Sequence, residues 1–167
     1  MGKFGGHAQS LEGGFGSPAL LRHRRALGHR LAERRQAEPF ELSANLLHEP
    51  LVGYEYVRDC AELAHRNGLL NVLVTNGCFC EQPLRALLPL IDALNIDLKG
   101  FSQTFYDFVG GNLETVQTAI RLAAAICHVE VTTLIVPGMN DSDSDMDAQA
   151  AWLAMVDPEI SLHISRF

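Results

Sequence analysis

Five polar side chains stand where a ligand could be held: Glu49, Asn76, Asp97, Lys99 and Thr132. They supply two carboxylates, one ammonium, one amide and one hydroxyl. Four segments that read as strand ends surround them: HEP at 48–50, TNG at 75–77, DLKG at 97–100 and VPGMND at 136–141. Strand side chains alternate with period two. Asp97 and Lys99 therefore share a face, as do Val74 and Asn76, and Glu130, Thr132 and Leu134. Turned inward together, the set suits a zwitterionic ligand that carries a sugar. Lys99 would take its carboxylate, Glu49 its amine, and Asp97 or Asn76 its hydroxyls. Each feature also has a structural reading. TNG is a common turn, and Asp97 with Lys99 could be an ion pair at a sheet end. Glu49 before Pro50 could cap a helix, since proline suits the first helical position. Glu130 reads as an edge or supporting carboxylate.

The other reactive side chains carry weaker signals. Cys78 and Cys80 form a CxC just past a strand end, too close for the usual CxxC metal knuckle but open to a metal or redox role. Cys60 and Cys127 fall in apolar helical patterns and are expected as core thiols. His65 and His128 are expected at the surface. His163 lies on the last strand, on a face that the sequence does not determine. The acidic run from Asp141 to Asp147 lacks the glycine and glutamate that a calcium loop requires at its sixth and twelfth positions. It reads instead as a capped helix start. No residue is singled out as catalytic and no metal ligand is assigned.

The elements that must position these residues alternate. Ser43 to His48 reads as a short strand. Leu51 to Asn67 reads as a helix with Val52, Tyr56, Cys60, Leu63 and Ala64 at helical spacing, stopped by Gly68. Strands are expected over Asn71–Thr75, Ala93–Leu98, Val129–Val136 and Ile160–Ser165. Helices are expected over Glu81–Leu90, Thr115–Ile126 and from the acidic run to about Val156. Strands and helices in turn make βαβ units and a parallel sheet, covered on both faces or closed into a barrel. Ligands of such sheets bind at the C-terminal ends of the strands.

The chain has 167 residues, 47% of them apolar, which is ordinary for one globular domain. No apolar run approaches the roughly 20 residues of a membrane span, and Met1 to Ser10 has no secretory pattern. With four sparse cysteines, the expected location is the cytoplasm. Residues 1–40 hold seven Lys/Arg against three Asp/Glu, a net of +4, and the rest holds six against seventeen, a net of −11. An acidic body argues against a nucleic-acid surface. The basic stretch from Leu20 to Arg35 has three readings: an arm that binds RNA or membrane, an organelle transit peptide, or out-of-frame translation of GC-rich DNA. The expected organisation is a basic, Gly/Arg-rich segment over 1–44, disordered or out of frame, and an incomplete barrel domain over 45–167.

Several segments in order resemble radical SAM enzymes: HEPLVGYEYVRDCAELAHRNGLLNVLVTNG, IDALNIDLKGFSQTFYDFVGGNLETVQTAIRLA, VEVTTLIVPGMNDSDSD and ISLHISRF. The nearest group is the AmmeMemoRadiSam-system type, a relative of the pyruvate formate-lyase-activating enzymes. The resemblance covers residues 45–167. It implies an α/β fold, a partial (β/α)6 barrel of parallel strands whose first strand is missing or unrecognisable. It also implies S-adenosylmethionine (SAM) and a [4Fe-4S] cluster as cofactors. The family cleaves SAM reductively to a 5′-deoxyadenosyl radical that takes hydrogen from a substrate, which is a protein in some members. A flavodoxin or ferredoxin is the implied reductant; no nucleic acid and no membrane is implied. On this mapping Glu49 holds the methionine amino group, with His48 where the family usually has Asn. Asn76, Asp97 and Lys99 fall on positions associated with the methionine carboxylate and ribose, and Thr132 and Leu134 on the strand lining the cofactor. The family's cluster sits on a CxxxCxxC motif that belongs upstream of residue 45, where this sequence has no cysteine.

The leading expectation is therefore a piece of a radical SAM enzyme, inactive by itself for want of cluster ligands. A cluster-less SAM-binding module is the alternative. A Schiff-base barrel enzyme using Lys99 ranks third, because Asp97 two residues away opposes the neutral amine it needs.

Overall fold

Runs of β-branched and apolar residues bounded by Asn-Gly, Lys-Gly and Pro-Gly make short buried strands, and the Ala-, Leu- and Glu-rich runs between them make helices. A computed structural model describes residues 42–44 and 49–166. Residues 1–41, 45–48 and 167 lie outside the described residues, and with them the basic segment and His48. The strands are β1 (Leu42–Ala44), β2 (Leu70–Thr75), β3 (Ala93–Asp97), β4 (His128–Ile135) and β5 (Ser161–Arg166). They form one parallel sheet in chain order, β1-β2-β3-β4-β5. The crossovers hold helices α1 (Tyr54–Arg66), α2 (Glu81–Leu87), α3 (Gln103–Val109), α4 (Leu113–Ala124) and α5 (Asp143–Val156). Turns of 3-10 helix at Pro50–Gly53 and Leu88–Leu90 extend two of them.

The strand order never reverses, so the chain winds one way and packs its helices on one face. Leu73, Leu94, Ile96, Val129 and Val131 of the strands form a single core with Val57 and Ala61 of α1, Leu84 and Leu87 of α2, Val116 and Ile120 of α4, and Leu153 of α5. Among the described residues the opposite face carries no helix from this core. On it, half-buried and exposed positions alternate with the buried ones along β2, β3 and β4.

Three elements differ from the sequence expectation. The first strand, expected over Ser43–His48, is described at Leu42–Ala44, paired with β2 and ahead of the expected domain start at residue 45. Helix α1 buries Val57, Ala61 and Ala64, whereas Val52, Tyr56 and Leu63 of the expected stripe are 86%, 66% and 61% exposed. Small side chains let the helix lie close to the sheet, which rotates the larger residues outward. Cys60 is accordingly half-buried, and only Cys127 is a fully buried thiol. Helix α3, absent from the expected elements, is set by its caps. Ser102 accepts a hydrogen bond from the Phe105 amide at 3.3 Å, and Gly110 ends the helix at φ 77°. Ser142 likewise caps α5 by accepting from the Asp145 amide at 3.2 Å, so the acidic run is a helix start. His65 pairs with the mostly buried Asp92 at 3.2 Å, at the end of the sheet remote from the strand tips.

Gly77 governs the turn that leaves β2. Its φ is +72°, and an added Cβ would stand 2.9 Å from Ile96 Cγ2 and 3.2 Å from Val116 Cγ1. Gly77→Ala is expected to cost about 2–4 kcal/mol, from the left-handed conformation and the overpacked core together. A urea unfolding midpoint that falls accordingly is the check.

Candidate ligand site at the strand ends

The register assembles the predicted residues on the open face. Asp97 pairs with Thr132 and Thr132 with His163 across β3, β4 and β5. Asn76 stands one residue past the Thr75–Ile96 pair and so beside Asp97. The row Asn76, Asp97, Thr132, His163 thus crosses four strands at their C-terminal ends, at about 4.8 Å per strand. One step lower lies the row Val74, Asn95, Glu130, Ser161, and one step above Thr132 on β4 stands Leu134, opposite Ser165.

Glu49 reaches this row from the segment after β1. Its Oε1 accepts from the Thr75 hydroxyl at 2.7 Å and its Oε2 from the Asn76 amide N–H at 3.0 Å. It precedes the 3-10 turn at Pro50 but makes no side-chain cap to it. The carboxylate therefore ties its segment to the tip of β2 instead of capping a helix. The Thr75 hydroxyl also accepts from Gly77 N–H at 3.2 Å. Asn76 Oδ1 accepts from Cys78 N–H at 2.7 Å, which fixes the amide and leaves its NH2 group without a hydrogen-bond partner among the described residues.

Lys99 Nζ donates to Asp97 Oδ2 at 2.6 Å, and both side chains are half-exposed. Its backbone is held from two sides. The Lys99 N–H donates to Tyr106 Oη at 3.1 Å, and its carbonyl accepts from Asn140 Nδ2 at 2.6 Å. Burial pushes the Tyr106 phenol well above its ordinary range, although the Lys99 N–H bond pulls the other way, so it stays a neutral acceptor. Asn140 also donates to the Leu134 carbonyl at 2.9 Å and accepts from Val136 N–H at 2.7 Å. This buried amide stitches the loop after β4 to the loop after β3.

Thr132 donates to Asn95 Oδ1 at 2.9 Å. Below it, Glu130 receives His163 Nε2 at 3.0 Å and His128 Nε2 at 3.4 Å. His163, whose face the sequence left open, is therefore on the ligand-facing side. Burial is the largest influence on Glu130 and favours its neutral form. The hydrogen bonds and charges of the two imidazoles together outweigh it and hold the carboxyl below its ordinary range. A depressed carboxyl contributes stability above its ordinary titration range, and that contribution is lost as pH falls through its folded value. The melting temperature of the wild type should accordingly exceed that of Glu130→Gln at neutral pH, and the gap should close on acidification.

Sequence reasoning singled out Glu49, Asn76, Asp97, Lys99, Thr132 and Leu134, and the fold brings their elements to one end of one face. It missed Asn95, Thr75 and Asn140. Asn95 was within reach, since it precedes Asp97 by two and shares its face. Thr75 faces the core, and nothing in the pattern marks it as the partner of Glu49. Among the described residues no group of three His, Cys, Asp or Glu could hold a metal ion.

Comparisons with known proteins bear on the fold. No protein-family model matches the chain. An uncharacterized protein of Methanocaldococcus jannaschii is 39% identical over 121 residues, which are 71% of this chain and 36% of that protein. The benzylsuccinate synthase activating enzyme of Thauera aromatica is 28% identical over 109 residues, 63% of this chain and 33% of that enzyme. The chain thus spans about a third of the length of the curated relatives it matches. A solved domain of pyruvate-formate lyase-activating enzyme from Bacteroides vulgatus superposes with a TM-score of 0.60 at 20% identity, covering 72% of this chain and 74% of that one. The chain shares its fold with that domain. Archaeal TYW1 is similar at a TM-score of 0.52 and 21% identity, over 83% of this chain and 50% of that one. The α/β architecture with parallel strands expected from the sequence is therefore the one observed. No helix among the described residues is long and apolar enough to cross a membrane.

Proposed function

We propose that the strand ends of this chain form a pocket for S-adenosylmethionine, and that the chain is part of a radical SAM enzyme of the activating kind. The observation that carries this reading is the row of Asn76, Asp97 and Thr132, with Glu49 and Lys99 beside it, at the C-terminal ends of an activating-enzyme fold. The AmmeMemoRadiSam type is the finer assignment, supported by the order of the matching segments.

The donor set fits the ligand. Glu49 has both oxygens engaged, yet each carboxylate oxygen has a second lone pair, so it can still accept from an ammonium. Its fixed position lowers the ordering cost of binding. Lys99 offers the cation for the methionine carboxylate, and Asp97, released from Lys99, accepts from ribose hydroxyls. Thr132 and Leu134 line the wall, one polar and one apolar.

The chain's own cysteines do not fit the cluster. Three thiolates on one loop are needed, whereas Cys60 lies on α1, Cys127 is buried before β4, and only Cys78 and Cys80 share a loop. Reductive cleavage of SAM, the family chemistry, is therefore not assigned to the residues of this chain, which hold and orient the cofactor. A protein substrate and a flavodoxin or ferredoxin reductant belong to the whole enzyme on this reading.

Calorimetric titration of the chain with SAM tests the pocket: saturable one-to-one binding is expected. Anaerobic reconstitution with iron and sulfide should give no SAM-responsive [4Fe-4S] signal by EPR. The Schiff-base alternative requires a free amine, whereas Lys99 is held by Asp97 at 2.6 Å; borohydride trapping of a carbonyl compound on Lys99 would be needed to support it.

A further inference from the structure

A second surface adjoins the strand-end pocket. Helix α3 gives three of its aromatic residues different tasks. The Tyr106 hydroxyl accepts from the Lys99 N–H, and Phe105 is buried. Phe108 stacks on Phe105 with ring centroids 6.3 Å apart and planes at 28°, and it is 72% exposed. Val109 beside it is 41% exposed, and Met139, in the loop after β4, is 42% exposed. Gly100 brings that loop and α3 together. An added Cβ there would stand 2.8 Å from Phe105 Cδ1 and 3.4 Å from Asn140 Cβ. The exposed side chains thus sit on the two segments that hold the Lys99 backbone. Apolar side chains facing solvent on such packed supports, rimmed by polar residues, mark a contact surface, and aromatic and Met residues are enriched there.

Charge selects what this surface meets. Residues 99–112 and 136–147 together hold one lysine and five aspartates (Asp107, Asp141, Asp143, Asp145 and Asp147), a net of −4. The lysine is Lys99, already paired with Asp97 at 2.6 Å. Asp107 precedes Phe108, Asp141 follows Asn140, and both are exposed. An acidic rim repels acidic proteins, anionic membranes and nucleic acid, and it draws in cations. We infer that the rim formed by Phe108, Val109 and Met139 docks a protein partner that presents a lysine- or arginine-bearing segment with an apolar side chain at its centre. The apolar side chain packs on Phe108 and Met139, and the cations lie over the flanking aspartates. A segment held there lies beside Lys99, so it belongs to the protein acted on. That last step rests on the proposed SAM pocket; the docking itself does not.

The test uses the full chain and a short fluorescein-labelled peptide of lysine and glycine around one phenylalanine, read by fluorescence anisotropy. Saturable binding is expected, and added salt should weaken it. Phe108→Ser should lower the affinity about tenfold or more, as for an aromatic anchor, and so should the pair Asp107→Lys/Asp141→Lys. Tyr56→Ser, at an exposed position on α1, should leave it unchanged. The same peptide with glutamate for lysine should bind poorly. Amide NMR of the unsubstituted chain gives a readout independent of how the variants fold: peptide-induced shifts should concentrate at residues 105–109 and 138–143. Shifts elsewhere, unchanged affinity in Phe108→Ser, or equal binding of the glutamate peptide would overturn the docking surface. Sedimentation with phosphatidylglycerol vesicles that Phe108→Ser abolishes would overturn it in favour of a membrane contact. A SAM titration of the same samples keeps the two readings apart. SAM shifts without peptide binding would strike the docking surface alone, and peptide binding without SAM shifts would strike the pocket alone.

Discussion

Replacing Lys99 by alanine should weaken SAM binding by about 1.5–3 kcal/mol, the range for a hydrogen bond to a charged group. That is roughly a 10- to 150-fold loss in affinity. The side chain is half-exposed and leans on Asp97 at 2.6 Å, so its removal leaves no buried cavity. The fold should survive, and the effect should fall on binding alone. Lys99→Arg separates charge from shape. Arginine keeps the cation but presents a wider fork, so it should recover part of the affinity. Asp97→Asn provides the complementary check, since it frees Lys99 but removes the acceptor for hydroxyls. Calorimetry on the three variants decides the matter. Unchanged affinity in Lys99→Ala would remove the ammonium from the pocket.

The second large effect is expected at Asn140, a residue that touches no proposed ligand group. Its side chain is buried and makes three hydrogen bonds to backbone, to Val136 N–H and to the carbonyls of Lys99 and Leu134. Alanine would remove all three and leave their partners unsatisfied in a part-buried loop junction. At about 1–3 kcal/mol for each orphaned group, partly relieved by water, a loss of about 3–5 kcal/mol is expected. That is a large share of the roughly 5–15 kcal/mol available to a domain. Asn140→Asp should also destabilise, because it keeps the acceptor for Val136 but sets a carboxylate against two carbonyls. Exposed Asp141→Ala next to it should be neutral within about 0.5 kcal/mol. Urea unfolding of the three variants checks the order. Asn140→Ala should also weaken SAM binding, because it frees the Lys99 carbonyl and the loop that positions the ammonium.

Much of this was legible in the sequence because the strands are bounded by unambiguous turns. Thr75-Asn76-Gly77 and Asp97-Leu98-Lys99-Gly100 mark two strand tips, and the β-branched run of Val129 to Val136 can hardly be other than strand. Period-two alternation puts Asp97 with Lys99 and Thr132 with Glu130 and Leu134, each on one face of its own strand, and the register brings the two sets together. What was not legible depends on tertiary contact. The register that aligns Thr132 with His163 is set by how β5 docks, and the five residues after Pro158 do not encode it. Helix α1 carries two overlapping apolar stripes, one of large residues through Tyr56 and one of small residues through Ala61. The choice between them is made by the distance to the sheet. Asn140 looked like part of a strand-end motif and proved to be a loop clasp, because an amide with one acceptor and two donors can satisfy three backbone groups at once.

The groups around the pocket are arranged for holding a ligand. The backbone of Lys99 is fixed by Tyr106 and Asn140, Glu49 by Thr75 and Asn76, and Asn76 by Cys78. The Glu49 carboxylate and the Lys99 backbone thus rest on neutral residues that keep them in place, while Asp97 and the Lys99 ammonium hold each other, the kind of support that pre-organised binding requires. On the proposed reading the radical chemistry needs a cluster that these cysteines do not hold, so binding is the property of this chain to measure.

The most direct measurement is a SAM titration of the isotope-labelled chain followed by amide NMR. The account predicts saturable shifts concentrated at Asn76, Asp97, Leu98, Lys99 and Thr132, with α1 and α5 silent. Shifts confined to another surface, or none up to millimolar SAM, would contradict the assignment of the strand ends as the cofactor pocket.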